Sequence, residues 1–181
     1  MPDKDDLYAS RTNTGITMKR IGLLSDTHGY WDEKYVDYFS SCDEIWHAGD
    51  IGSQRVLTGL EQIAPVRAVH GNIDDHLMRL SCPKLLRFSI EGASVWITHI
   101  GGYPGRYAPE MRLELANGHP DLLVCGHSHL LKVEFDRKRN MLFINPGAAG
   151  KYGFHKVRTL VRFSVESGKF FDLEVIELAG L

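Results

Sequence analysis

Short apolar runs recur along the chain, separated by polar and glycine-rich breaks, and their pattern changes near residue 85. Residues 20–25, RIGLLS, are compact and apolar enough for a strand buried on both faces. The following DEKYVDYFS sets Tyr35, Tyr38 and Phe39 at helical spacing, and EIWHAG reads as a second strand. GSQRVLTGLEQI predicts a second helix with Ser53 at its N-cap, and VRAVHG a third strand. Strands alternating with helices call for parallel pairing through right-handed crossovers.

Beyond residue 85 hairpins take over. LLRFSIEGASVWITH is two strands meeting at Glu91-Gly92, and two further hairpins turn near Arg139-Asn140 and Ser167-Gly168. Between them, PEMRLELANG predicts a helix closed by Asn117-Gly118, and DLLVCG another buried strand. The pattern implies an α/β protein of two packed sheets, one leaning parallel and one antiparallel, with helices outside. The first 17 residues are polar and without periodicity, so residues 1–17 are expected to be a disordered extension and 18–181 a single domain.

Composition narrows the setting. A chain of 181 residues that is 43% hydrophobic supplies one sizeable core. A net charge of −2 gives no basic field to draw nucleic acid, so nucleic acid is not indicated as a partner. No apolar run is long enough to cross a bilayer, and the polar start does not resemble a signal peptide. Cys42, Cys82 and Cys125 show no C-x-x-C spacing and read as buried thiols in a reducing cytoplasm. An edge hairpin leaves room for pairing with a second copy.

The chemistry lies where the strands end. Asp26 and His28 follow the first strand, Asp50 the second, Asn72 the third, His99 the strand SVWIT, and His127 and His129 the strand DLLVCG. In open α/β sheets ligands bind at the carboxyl ends of strands, so these seven side chains are expected on one rim. Two aspartates, one asparagine and four histidines suit divalent ions such as Mn²⁺, Fe²⁺ or Zn²⁺ better than a thiolate zinc site. Seven donors exceed one tetrahedral ion and fit two ions sharing a carboxylate, about 3.5–4 Å apart in enzymes that displace at phosphorus.

The set Asp26-x-His28, Gly49-Asp50, Gly71-Asn72, His99 and Gly126-His127-Ser128-His129 resembles the calcineurin-like metallophosphoesterase superfamily. GNID followed by a late NPG makes it similar to the small bacterial and archaeal phosphodiesterase branch related to Vps29. The resemblance implies a four-layer αββα sandwich, with two mixed sheets flanked by helices and a dinuclear site at its rim. Asp26, His28, Asp50 and His129 would hold one ion, and Asp50, Asn72, His99 and His127 the other. Asp50 would bridge, and Asp50, Asn72 and His99 would carry the catalytic step. The implied activity is hydrolysis of a small-molecule phosphodiester by in-line attack of a bridging hydroxide. The cofactors would be two divalent ions, Mn first, with Fe, Zn or Ni as substitutes. The alternatives are a catalytically weak Vps29-like scaffold and a phosphomonoesterase.

One departure is chemical. Many superfamily members carry His after the Gly-Asn pair, where this chain has Ile73, which cannot transfer a proton. Asp74 is better placed to orient a metal ligand. His47 and His70 read as satisfied histidines within strands. His119 and His155 read as surface residues, with substrate contact the lesser reading for His155.

Overall fold

The computed structural model describes residues 17–179, so the expected extension, Thr17 apart, lies outside the described residues. The first half runs β1 (Lys19–Leu24), α1 (Lys34–Phe39), β2 (Glu44–His47), α2 (Gln54–Glu61), β3 (Val66–Ala68) and α3 (His76–Ser81). A hairpin of β4 (Leu85–Ile90) and β5 (Ala93–Thr98) follows, then a two-residue pair, β6 (Gly102–Tyr103) and β7 (Arg106–Tyr107). After α4 (Pro109–Asn117) come β8 (Leu122–Val124), β9 (Leu131–Asp136), β10 (Met141–Pro146), β11 (Arg158–Glu166) and β12 (Lys169–Leu178).

The strands form two five-stranded sheets, ordered β12-β11-β1-β2-β3 and β4-β5-β8-β10-β9. Both sheets are mixed and flanked by helices, as the resemblance implies, although neither leans parallel or antiparallel as the local pattern suggests. In the first sheet β1, β2 and β3 pair parallel and β11 joins β1 antiparallel. In the second, β8 pairs parallel with β5 and β10, while β4 and β9 flank them antiparallel. The first sheet is thus parallel on the β3 side and antiparallel on the β12 side, and the second has a parallel centre with antiparallel edges. The hairpin signals were local and sound: Glu91 and Gly92 both adopt positive φ, as do Ser167 and Gly168. They fixed which strands pair at a turn, not which sheet receives them.

Three apolar clusters account for four layers. Ile21, Leu23, Val161 and Phe163 of one sheet meet Val95, Ile97, Val124 and Ile144 of the other between the sheets. Tyr35 and Phe39 of α1 and Val56, Leu57 and Leu60 of α2 cover the outer face of the first sheet. Met111 and Leu115 of α4 cover Leu123, Met141 and Phe143 on the second. Strands β1, β2 and β8 are buried on both faces, which explains their unbroken apolar sequences. Ser53 caps α2 as expected, its side chain accepting from the Arg55 amide. The three cysteines are buried thiols.

Because β1, β2 and β3 run parallel, as do β5 and β8, their carboxyl ends open on one rim. The loops leaving those ends are tied together. The amides of Asp26 and His28 donate to the carbonyls of Gly49 and Asp50, and the Gly126 amide donates to His99 across the second sheet.

Candidate metal centre

All seven residues expected at the rim are there. His28, Asp50, Asn72, His127 and His129 line one cleft of about 490 Å³, and His99 and Asn72 line an adjoining cleft of about 210 Å³. Asp26 lies beneath, completely buried. Two donor groups stand out: Asp26, His28 and His129, and Asp50, His99 and His127, each with ligand atoms within 4.8 Å of one another.

The backbone is unusual where these donors sit. Asp26, His28, Asp50, His127 and His129 all adopt left-handed φ, between 47° and 69°. Such a conformation costs a non-glycine residue about 1–2 kcal/mol. Five instances in one cleft mark a site where geometry is held against local preference. Two neighbouring glycines contribute in different ways. Gly49 does turn, at φ 93°. Gly71 instead allows close approach, since a Cβ there would lie 2.0 Å from Asp50 Oδ1.

Second partners fix which nitrogen of each ring faces the cleft. His99 Nδ1 lies 2.8 Å from the Ala48 carbonyl, which can only accept, so Nδ1 carries the proton and Nε2 presents its lone pair. His155 lies behind His129, with its Nδ1 3.3 Å from His129 Nδ1 and its Nε2 3.0 Å from the Gly150 carbonyl. The carbonyl requires a proton on His155 Nε2. His155 Nδ1 then accepts from His129 Nδ1–H, and His129 Nε2 is left bare toward Asp26 Oδ1, 3.1 Å away. His155 is therefore buried against a candidate ligand rather than on the surface. His119 is exposed, as expected.

His47 is fully buried and accepts from the Gly49 amide through Nδ1. Its Nε2–H meets the Thr27 hydroxyl, which in turn donates to the Ile51 carbonyl. Burial lowers its pKa to about 4 against the pull of nearby carboxylates, so the ring is neutral at physiological pH. Asp74 does not touch a candidate ligand side chain. Its carboxylate accepts from the amides of Ile51, Gly52 and Gly71, clamping the loops that carry Asp50 and Asn72. The guanidinium of Arg79 completes this clamp, donating to the carbonyls of Asn72 and Asp74.

Two buried polar atoms have no hydrogen-bond partner among the described residues: Asp26 Oδ1 and His99 Nε2. With both ring protons on Nδ1, each of these atoms faces another acceptor, His99 Nε2 3.2 Å from Asp50 Oδ1 and Asp26 Oδ1 3.1 Å from His129 Nε2. A buried polar atom left unpaired costs about 1–3 kcal/mol. Donors that converge on a common point instead of on each other are what a cation site requires, so the residues present suit divalent ions. For Asp50, burial alone would raise the pKa. With no ion bound, the carboxylates of Asp50 and Asp26 outweigh burial and raise the His99 pKa. Protonated His99, with the Ile73 amide and His28, in turn holds the Asp50 carboxyl below the usual range; a cation at the site would stand in place of that His99 proton.

The position following Asn72 is Ile73, whose side chain is half exposed and lines the cleft. It places an apolar group where a proton donor would be expected.

Comparison with known proteins agrees with this geometry. The pattern of the calcineurin-like phosphoesterase superfamily domain matches residues 18–168. The chain is 36% identical over 137 residues to a probable metallophosphoesterase of Methanothermobacter thermautotrophicus, covering 71% of this chain and 76% of the relative. Among solved structures it resembles an archaeal phosphodiesterase at TM-score 0.72 and 23% identity, covering 88% of this chain and 99% of that one. It also resembles Vps29 of Cryptosporidium parvum at TM-score 0.67 and 18% identity, covering 90% and 99%. At those identities the two structural likenesses speak to the fold.

Proposed function

The chain belongs to the calcineurin-like phosphoesterase superfamily, and from that premise we propose that it is a phosphodiesterase working with two divalent metal ions. The single observation that carries the reading is the pair of donor groups, Asp26, His28 and His129 beside Asp50, His99 and His127. Asp50 Oδ2 faces His28 at 3.7 Å while Oδ1 faces His99 at 3.2 Å, so its two oxygens address both groups and suit a bridging ligand. Asn72 adds a neutral carbonyl oxygen to the second group without further negative charge near an anionic substrate.

Ions bound there would supply Lewis acidity, offsetting charge on the phosphoryl oxygens and making water a competent nucleophile near neutral pH. The rest falls to the chain. His99 and His129 are oriented with Nε2 toward the site by Ala48 and His155. The Asp74 and Arg79 clamps keep Asp50 and Asn72 in register. The serine that lines the cleft, Ser128, has its hydroxyl oxygen engaged by the Leu130 amide and the Asn145 side chain, and the step proposed is direct transfer to water rather than a covalent enzyme ester. With Ile73 offering no proton, the preferred leaving group is one that departs as a stable anion.

A Vps29-like scaffold is the competing reading, supported by the fold likeness and by Ile73. A full donor set argues against it, since docking alone needs no converging carboxylates. Metal-dependent turnover of a diester separates the two, and metal analysis tests the dinuclear site: the proposal expects two Mn²⁺ per chain and loss of both in Asp50→Ala. One bound ion, or none in the wild type, would defeat the dinuclear reading.

A further inference from the structure

Four apolar side chains crowd the cleft that holds the metal donors: Ile73, Leu130, Tyr152 and Phe154. Tyr152 is 72% exposed and Phe154 fully exposed. Single exposed apolar residues are ordinary, but a cluster beside a polar centre marks a surface shaped for a ligand.

The loop that carries the two rings is anchored on both sides. At its root, the Ala149 carbonyl accepts from the Tyr35 hydroxyl and from Arg158 Nε, and the Gly150 amide donates to Asp26. At its return, His155 is buried and bonded to the Gly150 carbonyl. Only residues 151–154 remain as a tip, and that tip lies directly on the site. A Cβ at Gly153 would sit 2.2 Å from His129 Nδ1, so the backbone packs on the imidazole. The Tyr152 ring lies 5.0 Å from the His28 ring, tilted by 47°. The rings are thus presented beside the donors by a short, tethered segment, and neither is used in the core.

We infer that Tyr152 and Phe154 form a platform for a flat aromatic group carried by the phosphate, so that the substrates are phosphodiesters of aryl or nucleobase-bearing alcohols and not simple alkyl diesters. This rests on the phosphodiesterase reading of the same cleft. A phosphate seated on the donor groups brings its ester substituent over the tip, where ring stacking rewards planarity whatever the ring's hydrogen-bonding pattern. Ile73 and Leu130 complete an apolar wall that a hydrated alkyl or sugar-only substituent would not use.

The test compares methyl phosphate, phenyl phosphate and adenosine 5′-monophosphate as ligands of the Mn²⁺-loaded protein by calorimetry. Phenyl phosphate is expected to bind about tenfold more tightly than methyl phosphate, within the range that stacking on one aromatic side chain gives. In Phe154→Ala that ratio should fall toward one, and Phe154→Trp should restore it. Metal content is measured on every variant to show that the donors are intact. A gain shared by the nucleotide assigns a nucleobase-bearing substrate, and a gain confined to phenyl phosphate assigns an aryl ester. Equal binding of methyl and phenyl phosphate, with Mn²⁺-dependent diester turnover present, overturns the platform and leaves the phosphodiesterase reading standing. If neither ligand binds and no diester is turned over, both fall.

Discussion

Replacing His155 tests whether the donor geometry depends on the residues behind it. In Gly150 C=O···His155···His129, every proton is assigned by the carbonyl at one end, so His129 is forced to present Nε2 toward Asp26. In His155→Ala the His129 ring loses its acceptor and its fixed tautomer, and the cavity admits water. Removing such an outer partner typically weakens metal binding 10–100-fold, about 1.4–2.8 kcal/mol. The loss should be confined to the ion held by Asp26, His28 and His129, because His99 is fixed independently through Ala48. Chelator competition followed by metal analysis would resolve two ions of unequal affinity in the variant, one of them near the wild-type value. His155→Asn, which returns an acceptor oxygen close to the Nδ1 position, should recover part of the loss. Wild-type affinity for both ions in His155→Ala would refute the assignment and return His155 to the bystander that its place in a glycine-rich loop suggests.

Other expectations follow from the same contacts. Asp74→Ala strands three amides, those of Ile51, Gly52 and Gly71, and should cost on the order of 3 kcal/mol in urea unfolding. Gly71→Ala puts a methyl group against Asp50 Oδ1 and should lower metal occupancy more than it lowers stability. His47 titrates near pH 4 when folded and near 6.5 when unfolded. The unfolded chain therefore binds more protons between those values. Stability in the metal-free protein should be full above pH 6.5 and fall as the pH drops toward 4, and His47→Asn should flatten that segment of the profile.

Much of the rim was legible because each donor follows an apolar strand, and parallel strands end on the same side. Two-faced burial of RIGLLS and DLLVCG made those strands visible without alternation. Helix α3 was missed, being only six residues long, although Asp75 caps it by accepting from the Met78 amide, and Asp75 three residues before Met78 is a readable start signal. The β6–β7 pair escaped because two-residue strands carry no periodicity. Sheet membership was not readable at all: β11 finds β1 across the length of the chain, with Val165 opposite Lys19, and no local signal records that partner. His155 was misread for a related reason. It reaches His129 over 26 residues, when the strands between them fold the loop back across the site.

Phosphodiester hydrolysis by two bound ions is tested most directly by turnover of bis(4-nitrophenyl) phosphate beside 4-nitrophenyl phosphate by metal-stripped protein, before and after Mn²⁺ is restored. Hydrolysis should be negligible without metal, recover to saturation at two equivalents per chain, and proceed with a higher kcat/KM for the diester. Two bound ions with neither ester hydrolysed, or turnover that persists after Asp50→Ala, would contradict two-ion hydrolysis.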